Sequence, residues 1–188
     1  PETPEQQTED SQHETSGGRA GAVGMWQFIP GTGRAYGLKV GRWVEERRDP
    51  IKATRAAARF LKELYARYNN WHLAFAAYNC GPGCVDGAIA GYRTTDFWTL
   101  VRRRALPQET MHYVPKLIAA AIIGKHPQRY GFSDLETLAK SAPIWPSVEI
   151  DASIGLGVVA DCYQTDQFTL EKLNPQLLQW ALPVDGTA

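Results

Sequence analysis

Two short runs of this chain concentrate side chains that could read a polar ligand. Gly21-Ala22-Val23-Gly24-Met25-Trp26-Gln27-Phe28-Ile29-Pro30-Gly31-Thr32 threads glycines through aromatic and amide residues. Ala77-Tyr78-Asn79-Cys80-Gly81-Pro82-Gly83 repeats that mixture about fifty residues later. Glycine lets a backbone come close, Trp and Tyr offer flat apolar faces, and Gln and Asn amides hydrogen-bond hydroxyls and acetamides. The combination predicts a cleft for a polar, ring-shaped ligand.

Helices must position these runs. A glycine-punctuated turn leads into a short helix around Pro30–Arg34 that stops near Gly37. Asp49-Pro50 supplies an N-cap and a first-turn proline, and Ile51, Ala58, Leu61, Tyr65 and Tyr68 follow at helical spacing, so a helix is expected over 50–68. Trp71 to Tyr78 reads as a helix that is apolar almost all round, which places it centrally in the core. Val85–Ala90, a brief turn at Asp96–Leu100, and 110–124 complete a nearly all-helical stretch. From Ser133 the texture changes: Pro143, Trp145 and Pro146 mark a linker, Val148–Ile150 can form a strand, and helices are expected at Ile154–Tyr163 and from Thr169 to Pro175.

Composition narrows the partners. At 188 residues the chain can hold one well-cored domain and a small appendage. Its 20 acidic residues balance 20 basic ones, so nucleic acid is not an expected partner. The first 20 residues are polar and lack an apolar face, and they open without a signal-peptide pattern. Cys80, Cys84 and Cys162 do not make a zinc set. Buried or incidental thiols are the expected state, with a Cys80–Cys84 bridge as the alternative if Gly81-Pro82-Gly83 turns tightly.

The Gly-x-Trp-Gln-Phe-Ile-Pro-Gly-Thr and Ala-Tyr-Asn-x-Gly-Pro-Gly segments together resemble the lysozyme-like lytic transglycosylases, of the membrane-bound murein transglycosylase D type. That resemblance implies a mainly α, goose-type lysozyme-like domain over 21–132, after an N-terminal segment 1–20. A linker at 133–146 and an α+β appendage at 147–188 would follow. The Leu-Glu-Lys-Leu-Asn-Pro run of that appendage resembles a divergent LysM module, with its closing strand at or beyond Ala188. The implied substrate is peptidoglycan, cut between N-acetylmuramic acid and N-acetylglucosamine. No metal or organic cofactor is implied. The implied location is periplasmic, with room for outer-membrane association through a segment upstream of Pro1.

The resemblance also assigns roles. Met25, Trp26 and Gln27 would shape a wall and bond the glycan beside the scissile link. Tyr78 and Asn79 would contact the muramic acid, and Glu109, Thr110 and Tyr113 match a Glu-Thr-x-x-Tyr-Val segment whose tyrosine reaches the active site. Trp43, Trp71 and Trp98 stay core or subsite candidates. A single Glu would protonate the leaving oxygen and then act as base toward the muramic acid C6 hydroxyl, closing a 1,6-anhydro ring. In the family it lies seventeen residues before the motif Trp, which from Trp26 is Glu9. Asp10 follows Glu9 where the family has Ser, and residues 1–8 are polar where it has a buried helix. Glu14 takes the role under a local deletion. If neither Glu serves, the chain is a glycan-binding relative without the acid. A water-using, goose-type muramidase is the other enzymatic alternative.

Overall fold

The computed structural model describes residues 21–132, 148, 150 and 152–182. They form two compact units: 21–57 with 150 and 152–182, and 58–132 with 148. Glu9 and Glu14, the N-terminal segment 1–20 and the linker 133–146 lie outside the described residues, as does Glu149 of the strand expected at Val148–Ile150.

Helices dominate, as expected. Helices α1 (Pro30–Ala35) and α2 (Pro50–Tyr68) are followed by α3 (Trp71–Cys80), α4 (Pro82–Tyr92), α5 (Phe97–Arg102) and α6 (Gln108–Lys125). Two more, α7 (Leu156–Cys162) and α8 (Gln167–Leu173), lie near the C-terminal end. The starts follow local chemistry. Asp49 Oδ1 accepts from the Ile51 and Lys52 amides at 2.8 Å, satisfying two of the donors that open α2. Asn70 and Asp96 cap α3 and α5 in the same way.

In the helical unit α3 is central, packing against α4 and α6. Its Leu73, Ala74, Ala76 and Ala77 are fully buried, joined by Val85, Phe97, Leu100 and Val114. Each large apolar side chain buried this way stabilises the unit by roughly 1.5–3 kcal/mol. The all-round apolar character of α3 therefore has a packing cause, and the small alanines let α4 and α6 approach.

The other unit is held by short antiparallel bridges. Val23 pairs with Phe28, Val40 with Glu45, Val44 with Leu177, and Gly155 with Ala181. The two C-terminal helices, expected as an appendage beyond a linker, instead share this unit with 21–57. The reason is main-chain pairing across a long stretch of sequence: the Glu45 amide donates to the Gln176 carbonyl at 2.7 Å, and the Leu178 amide to the Trp43 carbonyl at 2.9 Å. Leu182 N donates to Ile154 O and Leu156 N to Trp180 O, which brackets α7 and α8.

The cysteine expectation is corrected as well. Cys80, the last residue of α3, and Cys84, the third of α4, form a disulfide with Cα atoms 5.9 Å apart. Gly81 between them has φ +91°, a conformation suited to glycine, which turns the chain tightly enough for the thiols to meet. Cys162 remains a free, exposed thiol.

Candidate functional site

The helical unit gathers one set of the expected residues. Asn79 sits in the last turn of α3, and Glu109 and Thr110 in the first turn of α6. Thr110, nearly inaccessible, donates its hydroxyl to Asn79 Oδ1 at 2.6 Å, and Asn79 Nδ2 donates to Glu109 Oε1 at 3.1 Å. Two motifs thirty residues apart thus meet in one hydrogen-bonded chain. The threonine and carboxylate together dictate which end of the amide points where. Thr110→Val removes the donor at constant shape and leaves a carbonyl short of a partner, a cost of about 1–3 kcal/mol. We expect it to lower the melting temperature by about 2–8 °C, while Thr110→Ser keeps the parent value; equal melting temperatures for both variants would mean that the bond is idle.

Tyr78 precedes Asn79 on α3, and Tyr113 lies about one turn beyond Glu109 on α6. Tyr78 packs its ring against Phe60 with centroids 5.2 Å apart. Burial pushes its phenol well above the ordinary value, and the nearby Tyr113 adds to the shift. Burial raises Tyr113 likewise. Both side chains are therefore uncharged hydroxyls at neutral pH, able to donate as well as accept. The disulfide follows Asn79 directly and ties the end of α3 to α4.

The expected Met25, Trp26 and Gln27 fall together on a turn of the other unit. Gln27 adopts φ +51°, unusual for a residue other than glycine, and both its backbone amide and its Nε2 donate to the Gly24 carbonyl, at 3.1 and 2.7 Å. Trp26 Nε1 donates to Thr54 Oγ1 at 2.8 Å, and that hydroxyl in turn points at Met25 Sδ, 3.9 Å away. Met25 is 70% exposed, so its apolar side chain is presented rather than stored in a core.

Sequence reasoning passed over Glu45-Glu46-Arg47, which a charged run ahead of a helix disguises as a solvated face. All three are buried. Glu46 accepts from the Lys39 amide at 2.7 Å and from Lys52 Nζ at 2.5 Å. Buried charges need partners, and these lie too far along the chain for spacing to reveal.

The aromatic candidates divide differently. Trp71 stacks on Tyr65 and Phe75, with centroids at 4.4 and 5.4 Å, yet keeps about half its surface exposed. Trp98 lies edge-on to Phe97 and His72. Arg42 lies 6.0 Å from the Trp43 ring centroid. Beside α8, a groove of about 590 Å³ is lined by Arg48, Phe168, Glu171, Lys172, Gln179 and Trp180, among others. Lys172 Nζ stands 4.1 Å from the centre of the Phe168 ring.

A mainly helical domain with this amide and tyrosine cluster defines a protein of the lysozyme-like class. The transglycosylase SLT domain family matches residues 6–101. Over 154 residues, 79% of its length, the chain is 42% identical to the membrane-bound lytic murein transglycosylase D of Escherichia coli K12, and to the same degree to that of an Escherichia coli O6:H1 strain. It spans 32% of the length of these relatives. The chain belongs to the transglycosylase SLT family.

Proposed function

We propose that the chain carries the catalytic activity of a peptidoglycan lytic transglycosylase. It cleaves the β-1,4 bond between N-acetylmuramic acid and N-acetylglucosamine and leaves 1,6-anhydromuramic ends, in the bacterial periplasm. The observation that carries this reading is the Thr110–Asn79–Glu109 hydrogen-bonded chain, with Tyr78 and Tyr113 on the same two helices. It assembles from residues far apart in sequence the polar donors and acceptors that an amide-bearing sugar requires. Gln27, whose Nε2 is committed to Gly24, offers Oε1 to a sugar hydroxyl, with Trp26 as an apolar face beside it.

Glu9 is the proposed acid, and the family match begins at residue 6, ahead of it. Its carboxyl gives a proton to the glycosidic oxygen as the bond breaks. The resulting carboxylate takes the proton of the muramic acid C6 hydroxyl, whose oxygen closes on C1. Water is not consumed, and one carboxyl group serves both steps. The helix pair α7–α8, bracketed by the pairing of 154–156 with 180–182, supports reading that segment as a LysM-like glycan contact.

Digestion of purified sacculi, followed by mass analysis of the released muropeptides, tests the reaction. Products lighter by one water than hydrolytic muropeptides are expected. Muropeptides of hydrolytic mass would assign a muramidase instead, and sacculus binding without release would assign a glycan-binding relative.

A further inference from the structure

Arg47 is buried, 5% exposed, and all of its donor nitrogens are engaged around one turn. Nε and Nη2 hold the two oxygens of the Glu45 carboxylate at 2.7 and 2.6 Å. Nη1 donates to two main-chain carbonyls, Gly21 O at 2.7 Å and Phe28 O at 2.6 Å. Those carbonyls are the two ends of the segment that presents Met25, Trp26 and Gln27. Between them, Gly24 lies against Arg47's own backbone: a Cβ there would come 1.8 Å from the Arg47 carbonyl oxygen. One residue therefore touches the turn at its beginning, middle and end.

We propose that Arg47, oriented by Glu45, is a positioning residue that holds the Gly21–Phe28 turn in the shape that binds glycan. The proposal rests on the reading of Trp26 and Gln27 as glycan contacts. A guanidinium suits the task because its planar fork grips a carboxylate with two parallel bonds while its remaining nitrogen spans two carbonyls. A lysine ammonium, a point charge with three donors, cannot do both. Glu45 is fixed in turn through its own amide, which donates to Gln176 O at 2.7 Å. The turn is thus anchored, through one ion pair, to the segment that follows α8. The left-handed backbone of Gln27 is sustained by this frame, because an exposed hairpin alone would relax it.

The test uses the full chain with Glu45→Gln and Arg47→Met combined, so that no unpaired charge is left buried. Arg47→Lys is the conservative partner and decides the matter if the double variant does not fold. Two readouts are taken: amide hydrogen exchange of Val23 and Gln27, and cleavage kinetics on soluble glycan strands. Exchange is expected to quicken at least tenfold at those amides and to stay unchanged at Leu73 and Val114 in the helical unit. KM is expected to rise about tenfold, with kcat within threefold. Unchanged exchange overturns the proposal, and so does a parental KM despite faster exchange. Full activity of Arg47→Lys overturns it too, since the charge alone would then suffice. If the parent chain releases no muropeptide, the transglycosylase reading fails instead, and the exchange arm still decides whether Arg47 holds the turn.

Discussion

Replacing Glu9 with glutamine is expected to cut muropeptide release from purified sacculi by at least about a hundredfold, with no change in melting temperature. The amide matches the carboxylic acid in shape but neither gives nor takes a proton at neutral pH. In a one-carboxyl mechanism both halves of the reaction fail together, because the group that protonates the leaving oxygen is also the base for the C6 hydroxyl. Glu14→Gln is the matched control and should stay within twofold of the parent. Loss on Glu14→Gln with retention on Glu9→Gln would move the acid to Glu14. Full activity in both variants would remove the proposed mechanism. The physical difficulty for Glu9 is its neighbourhood. An acid that works near neutral pH needs an apolar wall to raise its pKa, and Pro4-Glu5-Gln6-Gln7-Thr8 offers none. If Glu9 is the acid, the wall must come from residues remote in sequence.

What could be read from the sequence was local, and what could not be read was set by distance along the chain. The apolar run of α3 announced a central helix, and Asp49-Pro50 announced the start of α2, because both signals act within one or two turns. The Tyr78-Asn79 and Glu109–Tyr113 segments stood out through their motifs, and the Thr110–Asn79 bond joins them. The disulfide was not legible. Whether two cysteines four apart meet depends on the direction taken at Gly81, which is a backbone property with no side chain to signal it. Arg47 and Glu45 were hidden for a related reason. Their partners are each other and the carbonyls of Gly21 and Phe28, and a carbonyl has no residue type. The shared unit of 21–57 and the C-terminal helices depends on the Val44–Leu177 bridge and its neighbouring amide bonds, which periodicity cannot foresee.

Gly24→Ala is expected to lower glycan cleavage about a hundredfold, whereas Gly21→Ala should cost no more than about fivefold. Both glycines have positive φ, +77° and +67°, so each alanine carries the left-handed penalty of roughly 1–2 kcal/mol. They differ in the space around them. A Cβ on Gly21 meets only the Pro30 ring, at 4.0 Å, which is ordinary contact. A Cβ on Gly24 lies 1.8 Å from the Arg47 carbonyl oxygen and 2.7 Å from its carbon. Those are backbone atoms next to a buried ion pair, and no side-chain rotation can clear them. The turn must open, and the Val23–Phe28 pairing and the grip of Arg47 on both ends go with it. Faster amide exchange at Val23 in Gly24→Ala, with the helical unit still protected, would locate the damage in the turn. The comparison separates two explanations of why a glycine stands there. If the two variants lose activity equally, backbone conformation alone governs the turn; a large gap between them means that the close approach to Arg47 is what the position requires.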